Sequence, residues 1–311
     1  MSSVVLFAVT PIAIILTVVA ATWIVGARRR GRFLREAGVV LFAYFAYFLA
    51  RGVTEGNFAE ARDHAQILVE FEQSLGIFVD PSTQALILSQ TAIMKVANWI
   101  YVWGHWPVVA AVIIWLFAKR PDAYLLYRNA LLISGAIGLV LYVTFPAAPP
   151  RLLGMGFVDT VFDQSTFAGI MQPNSLTNQY AAFPSLHFGW SLLMGIAIMR
   201  EAHSAKLRLL APFLPIAMLL AVVITANHYI VDAVAGGMVA IIALQLAQVV
   251  RRLNPLRIEW VGWGNAVASV PQLSESALTG PGVSPHHARQ ARLELEARLA
   301  EHAVRAVIPP S

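Results

Sequence analysis

The chain has 311 residues, 58% of them hydrophobic and 13% charged, with a mean hydropathy of +0.66. Soluble domains carry about 25% charged residues, so the composition excludes a water-soluble protein and predicts an integral membrane one. Cysteine is absent, which excludes disulfides and thiolate metal centres, and the net charge of +5 gathers in short clusters beside apolar segments rather than in a nucleic-acid-binding patch.

In chain order, apolar segments fall at 4–25, 37–49, 103–118, 130–145, 186–199, 209–226 and 229–250. Seven hydrophobic helices predict an all-α, polytopic membrane helix bundle. A full crossing needs about 20 residues, so the shorter segments have to extend into their polar flanks. The basic clusters "RRRGRFLRE" (28–36), "KRPDAYLLYR" (119–128), "REAHSAKLR" (200–208) and "RRLNPLR" (251–257) follow every second segment. If every segment spans, all four lie on one side, which the positive-inside rule assigns to the cytoplasm. The first segment has no basic residue before it and several arginines after it, the pattern of an anchor with its N-terminus outside rather than of a cleaved signal peptide.

The opposite, extracytoplasmic side then holds residues 52–101, 146–185 and the turn at Asn227–His228. The amphipathic run "NFAEARDHAQILVEFEQSLGIF" predicts one or two helices lying along the outer surface. Beyond Arg257 a Ser/Pro/Gly-rich tail leads to "HHARQARLELEARLAEHAVRAV", a charged helix candidate on the cytoplasmic side. His286 and His287 in it fit a solvated helix.

Three stretches carry chemistry. In "ANHYIVDAVAGG" (226–237) a helix would put His228 and Asp232, four residues apart, on one face. The carboxylate could fix the imidazole tautomer and leave the other nitrogen as a nucleophile; a polar pair stitching two helices together is the structural alternative. In "AAFPSLHFGWSLL" (181–193) Ser185 is a natural N-cap and His187 lies in the first turn, where unpaired amides and the helix dipole favour a phosphate. The alternative there is an ordinary capped helix with an interfacial histidine. In "TFPAAPPRLLG" (144–154) the prolines stiffen the backbone before Arg151, which suits bidentate phosphate contact, or else simple snorkelling to headgroups. The derived topology brings all three to one outer face.

"FPSLHFGWS" and "TANHYIVDAVAG" resemble the second and third signatures of the type 2 phosphatidic acid phosphatase superfamily. "FPAAPPRLL", "EFEQSLGIFVDPSTQ" and "NWIYVWGHWPV" resemble its inositol phosphorylceramide synthase-like branch. The resemblance runs from about residue 70 to residue 237. It implies a six-helix core, to which this chain would add an N-terminal transmembrane helix and outer-surface amphipathic helices. It also implies a domain plan: 1–36 an N-terminal transmembrane helix with a basic turn, 37–257 the membrane-embedded catalytic domain, 258–311 a cytoplasmic tail.

The resemblance assigns roles as well. His228 matches the phosphoryl-accepting nucleophile, Asp232 its orienting carboxylate and His187 the general acid. Arg151 and Ser185 match phosphate-binding positions. Two cations of the wider superfamily are missing, since Val222 and Thr144 stand where it has arginine and lysine. Thr225, Asn227 and Asn178 are candidates to supply hydrogen bonds instead. His105 and Tyr180 are candidate cavity-lining residues, with Trp103 and Trp106 as interfacial anchors. His105 could equally be a packed histidine, and His64 and His203 read as surface residues.

The function implied is phosphotransfer from a lipid phosphate or phospholipid headgroup at the extracytoplasmic leaflet, through a phosphohistidine, to an alcohol such as inositol. Water as acceptor would make a lipid phosphatase, and a transporter with a His/Asp proton relay is the reading from another class. The expected setting is the plasma membrane or its equivalent, with no metal, no cofactor and no nucleic-acid partner. Nothing in the sequence specifies an oligomeric state.

Overall fold

The computed structural model describes residues 30–53, 57–161 and 178–253. The segment at 4–25, the tail helix candidate and His286 and His287 lie outside these residues. In chain order the helices are α1 (Arg30–Val53), α2 (Phe58–Ser74), α3 (Pro81–Leu88), α4 (Thr91–Trp99), α5 (His105–Lys119), α6 (Pro121–Thr144), α7 (Leu186–Glu201), α8 (Ala205–Leu210), α9 (Phe213–Ile224) and α10 (Ile230–Leu253). A single π-turn, Ile100–Gly104, joins α4 to α5, and a short 3₁₀ turn, Pro150–Leu152, carries Arg151. Among the described residues there is no β-strand beyond one isolated parallel bridge, Ala147 to Ala181.

Four helical stretches among the described residues are long and apolar enough to cross a membrane: Thr91–Lys119, Pro121–Thr144, Ala205–Ile224 and Ile230–Leu253. The protein is therefore an integral membrane protein, as the composition requires. α7, with 16 residues, is shorter than a full crossing of about 20 residues.

The helices are longer than the apolar runs suggest. The span predicted at 103–118 begins at Thr91, because the polar Asn98 is buried and satisfied: its amide donates to the Thr160 carbonyl (2.9 Å) and its carbonyl accepts from the Thr160 hydroxyl (3.0 Å). The basic cluster at 119–128 lies mostly in the first turns of α6. Pro121 occupies the helix start, where it sacrifices no hydrogen bond, and Arg128 turns inward onto Glu36 of α1 in a buried ion pair that Tyr124 joins with its hydroxyl. α1 packs further through Phe33 against Phe117, ring centroids 5.3 Å apart.

The core is the packed interior of α5, α6, α7 and α10, filled by Val112, Leu116, Tyr127, Leu193, Met194, Ala240 and Leu244. The opposite face of α10 is exposed and apolar, with Val234, Met238, Ile242 and Leu246 outward, the pattern of a helix that faces lipid on one side.

α7 and α10 meet through glycine. A Cβ built on Gly236 would stand 2.0 Å from the Ser185 carbonyl oxygen, and one on Gly189 would stand 2.5 Å from the Gly236 carbonyl oxygen. Two backbones touch there with no side chain between them.

α2 is amphipathic as expected. Ala61, Ala65, Leu68 and Val69 are buried, while Ile67 and Phe71 are exposed. His64, read as a surface residue, is half-buried instead: its Nδ1 lies 2.8 Å from the Pro146 carbonyl and its ring stacks on Phe145 at 4.2 Å. The aromatic end of α6 covers that side of α2. His203 is exposed and bonds to Arg120.

Candidate functional site

The third signature folds as a helix end, a turn and a helix start. α9 closes at Thr225, whose hydroxyl bonds back to the Ala221 carbonyl (2.7 Å). Ala226 then takes the left-handed conformation, φ 53°, and the amides of Asn227 and His228 both donate to the Val222 carbonyl (3.1 Å each). Glycine is the usual residue at such a helix exit.

α10 opens with Asp232 reaching back to cap it. Asp232 Oδ2 accepts from the Tyr229 amide at 2.9 Å, the acid half of a capping box. The same oxygen lies 3.3 Å from His228 Nδ1. The imidazole has a nearer partner that the sequence did not reveal: Nδ1 is 2.7 Å from the Ala182 carbonyl. Both contacts fall on Nδ1 and hold the tautomer with its proton there, so Nε2 is the nitrogen left for chemistry. His228 is 5% exposed and Asp232 fully buried.

The second signature lies directly against the third. Ser185 caps α7 as predicted, its hydroxyl facing the Phe188 amide at 3.5 Å, and its own amide donates to the Asp232 carbonyl at 2.9 Å. Ser185 is fully buried, with both its amide and its hydroxyl engaged inside the protein. His187, one turn into the same surface, is half-buried, and its ring centroid is 6.0 Å from that of His228. Two imidazoles at this separation can flank one phosphorus atom.

Arg151 joins them from the first signature. Its amide donates to the Ala226 carbonyl (3.1 Å), its Nε to Asn227 Oδ1 (3.0 Å) and its Nη1 to Asp159 Oδ2 (2.8 Å). Asn227 is fixed in turn by its side-chain amide, which donates to the Thr225 hydroxyl at 2.9 Å. Thr225 and Asn227 therefore serve the guanidinium. Val222, where the wider superfamily has arginine, is fully buried, and Thr144 is exposed with its hydroxyl bonded to the Val140 carbonyl (2.9 Å).

The remaining sequence candidates stand further back. Asn178 Oδ1 accepts from the Tyr180 amide at 2.9 Å, shaping the approach to the second signature. Tyr180 packs on Phe58 of α2 at 5.7 Å. His105 is buried, 3% exposed, with its ring 5.0 Å from that of His187.

Three residues escaped the sequence reading. Glu72 of α2 is buried beside the start of α10, where its Oε1 accepts from the Val231 amide at 2.6 Å. Burial pushes its carboxyl up to about 7; the Val231 hydrogen bond pulls the other way, and the nearby Asp232 charge adds to the rise. The signal was present, since Ala61, Ala65, Leu68 and Glu72 share one helical face and an acid on an apolar face is anomalous. Asp159, the carboxylate on Arg151, carried no such signal. It sits in an irregular stretch held by Gln84 of α3, whose side chain bonds both the amide and the carbonyl of Val158 (2.9 and 3.0 Å), and by Asn98 through Thr160. Tyr101, on the π-turn, packs on His187 at 4.7 Å; π-turns are rare and recur at functional sites.

A narrow cleft beside the His228 ring is lined by Glu72, Pro150, Phe157, Val223, His228 and Ile230.

A family model described as "PAP2 superfamily" matches residues 66–246, more than half of the chain. Comparison with curated proteins and with solved structures returns no match.

Proposed function

The chain belongs to the PAP2 superfamily, whose members are phosphatases and phosphotransferases acting on phosphate esters, and on that premise we propose that it is a membrane phosphotransferase. Its donor is a lipid phosphate or phospholipid headgroup in the extracytoplasmic leaflet, and its acceptor an alcohol such as inositol. The observation that carries this reading is the pair of imidazoles 6.0 Å apart, one with Nδ1 tied back to a carbonyl and a carboxylate.

The chemistry is a double displacement. His228 Nε2 attacks phosphorus, an N–P bond forms and the P–O bond to the leaving alcohol breaks. The departing oxygen keeps the electron pair and takes a proton from His187. In the second half His187, now neutral, accepts the proton of the incoming hydroxyl while its oxygen displaces His228 from phosphorus. Arg151, held by Asn227, neutralises charge on the equatorial oxygens, the dominant contribution in phosphoryl transfer.

The inositol phosphorylceramide synthase-like branch and transfer to an alcohol are favoured by the scarcity of phosphate-binding cations. Val222 and Thr144 add none, and Arg151 already shares its charge with Asp159. The basic clusters support an extracytoplasmic site. Hydrolysis is the second reading, favoured by the same histidine pair, which serves water as well as an alcohol.

The deciding experiment incubates the purified protein with labelled lipid phosphates and phospholipids, with and without a polyol. The expected product forms only with the polyol and vanishes in His228→Ala: a polyol phosphate where the donor is a lipid phosphate, a new phosphodiester lipid where it is a phospholipid. Free phosphate at the same rate with or without polyol would replace transfer by hydrolysis. Turnover retained by His228→Ala would remove the nucleophile.

A further inference from the structure

His187 does not stand alone in its wall of the site. Its ring centroid is 4.7 Å from that of Tyr101, 5.0 Å from that of His105 and 6.0 Å from that of His228. His105 is the first residue of α5, where the π-turn ends, and is 3% exposed. Trp190 lies parallel to it at 6.2 Å and Trp106 meets it edge-on at 5.3 Å. Its Nδ1 is 3.3 Å from the hydroxyl of Ser191, a residue one helical turn beyond His187 on the same face of α7. Its Nε2 is buried without a hydrogen-bond partner.

Such an arrangement is not what packing alone selects. A neutral imidazole carries one donor and one acceptor, and a buried nitrogen left unmatched is costly and rare. A phenyl ring would fill the same aromatic box between two tryptophans with no such penalty. The histidine instead keeps one nitrogen locked by Ser191 and the other unspent next to the site.

We propose that His105 is a positioning residue for phosphoryl transfer: from behind His187 it fixes the direction in which that imidazole presents its proton to the departing oxygen. The inference rests on the reading of His187 as the general acid given above. His105 does not touch the phosphate. The Ser191 bond holds the ring in one orientation, and that anchored ring, with Tyr101, stops His187 from swinging away; a phenylalanine of the same size lacks the anchor. In the first half-reaction the P–O bond breaks as the His187 proton passes to the leaving oxygen, and that transfer is efficient only along a short, aligned N–H···O path. His105 supplies the alignment, and neither gains nor loses a proton overall.

The test separates alignment from bulk packing by the leaving group. An alkyl alkoxide needs the proton in order to leave, whereas 4-nitrophenolate does not. Wild type, His187→Ala, His105→Phe and Ser191→Ala are assayed with the polyol present on dodecyl phosphate and on 4-nitrophenyl phosphate, with thermal midpoints recorded for each. His105→Phe is expected to lower kcat on the alkyl ester by about 10- to 100-fold, within the range a general acid contributes, with KM nearly unchanged and the aryl ester hardly affected. Ser191→Ala, which removes the partner of His105 Nδ1, should show a smaller loss of the same selectivity. If His105→Phe does not fold, Ser191→Ala carries the same comparison.

Equal loss on both esters in a folded variant, or no loss on either, would overturn the positioning role. If His187→Ala itself slows both esters equally, the acid assignment falls first and the role of His105 falls with it. A wild type that cleaves neither ester removes the phosphotransfer reading and this inference together.

Discussion

The two halves of the candidate site are built in different ways. The histidine half is held by backbone. His228 bonds to the Ala182 carbonyl, Ser185 donates its amide to the Asp232 carbonyl, and α7 touches α10 through Gly236 and Gly189 with nothing between. The arginine half has one backbone bond, from the Arg151 amide to the Ala226 carbonyl, and is otherwise held by side chains: Arg151 by Asn227 and Asp159, Asn227 by Thr225, and the stretch around Asp159 by Gln84 and Asn98. Backbone contacts dominate around the two imidazoles, while side-chain contacts dominate around the guanidinium. The first arrangement tolerates no added atom; the second degrades in steps.

That contrast can be broken at its stiffest point. Gly236→Ala places a methyl 2.0 Å from a carbonyl oxygen that cannot rotate away. α7 and α10 must part, and His187 with them. Turnover is expected to fall at least a hundredfold, with the thermal midpoint lowered by strain of about 1–3 kcal/mol or more. Unchanged kinetics in this variant would mean that the seam between the two helices does not set the imidazole spacing.

On the arginine side the same experiment should act more gently and on a different constant. Asn227→Ala removes the acceptor of Arg151 Nε and leaves Asp159 in place. A hydrogen bond to a charged group contributes about 1.5–3 kcal/mol, so KM for a lipid phosphate should rise roughly tenfold or more while kcat changes less. An equal effect on kcat would show that Asn227 acts on its neighbour His228 rather than through the guanidinium.

The smallest effect belongs to Glu72, which joins α2 to the histidine half through the Val231 amide. Its carboxyl is raised from 4.5 to about 7 in the folded protein, so the fold favours the protonated form. That contribution is complete below about 4.5 and is lost as pH rises through about 7. The thermal midpoint of the wild type should therefore decline across this window, and Glu72→Gln, neutral throughout, should flatten the curve. A variant whose decline matches the wild type would place the titration elsewhere.

Legibility in the sequence follows the same division. His228 and Asp232 were found because helical spacing is local, and Ser185 because capping is local. Their convergence with Arg151 was inferred from alternating charge clusters, and the structure brings the three stretches together through the Arg151–Ala226 and Ser185–Asp232 backbone bonds. What stayed hidden was non-local. The Ala182 carbonyl leaves no mark in a sequence, since any residue could supply it. Asp159 acquires meaning only beside Arg151, and Asn98, outside the predicted span, is drawn into it by its partner Thr160. Arg128 was counted only as part of a basic cluster, because its partner, Glu36, lies on another helix.

The exposed flank of α10 has a practical corollary. Val234, Met238, Ile242 and Leu246 look outward from the same rod whose inner side spaces Gly236 from Ser185. Whatever solvates that flank, acyl tails or a surfactant belt, leans on the backbone that calibrates the reacting pair. Bilayer thickness and the amphiphile chosen for purification are thus variables of any test of the proposed phosphotransfer, and the comparison belongs in more than one surfactant.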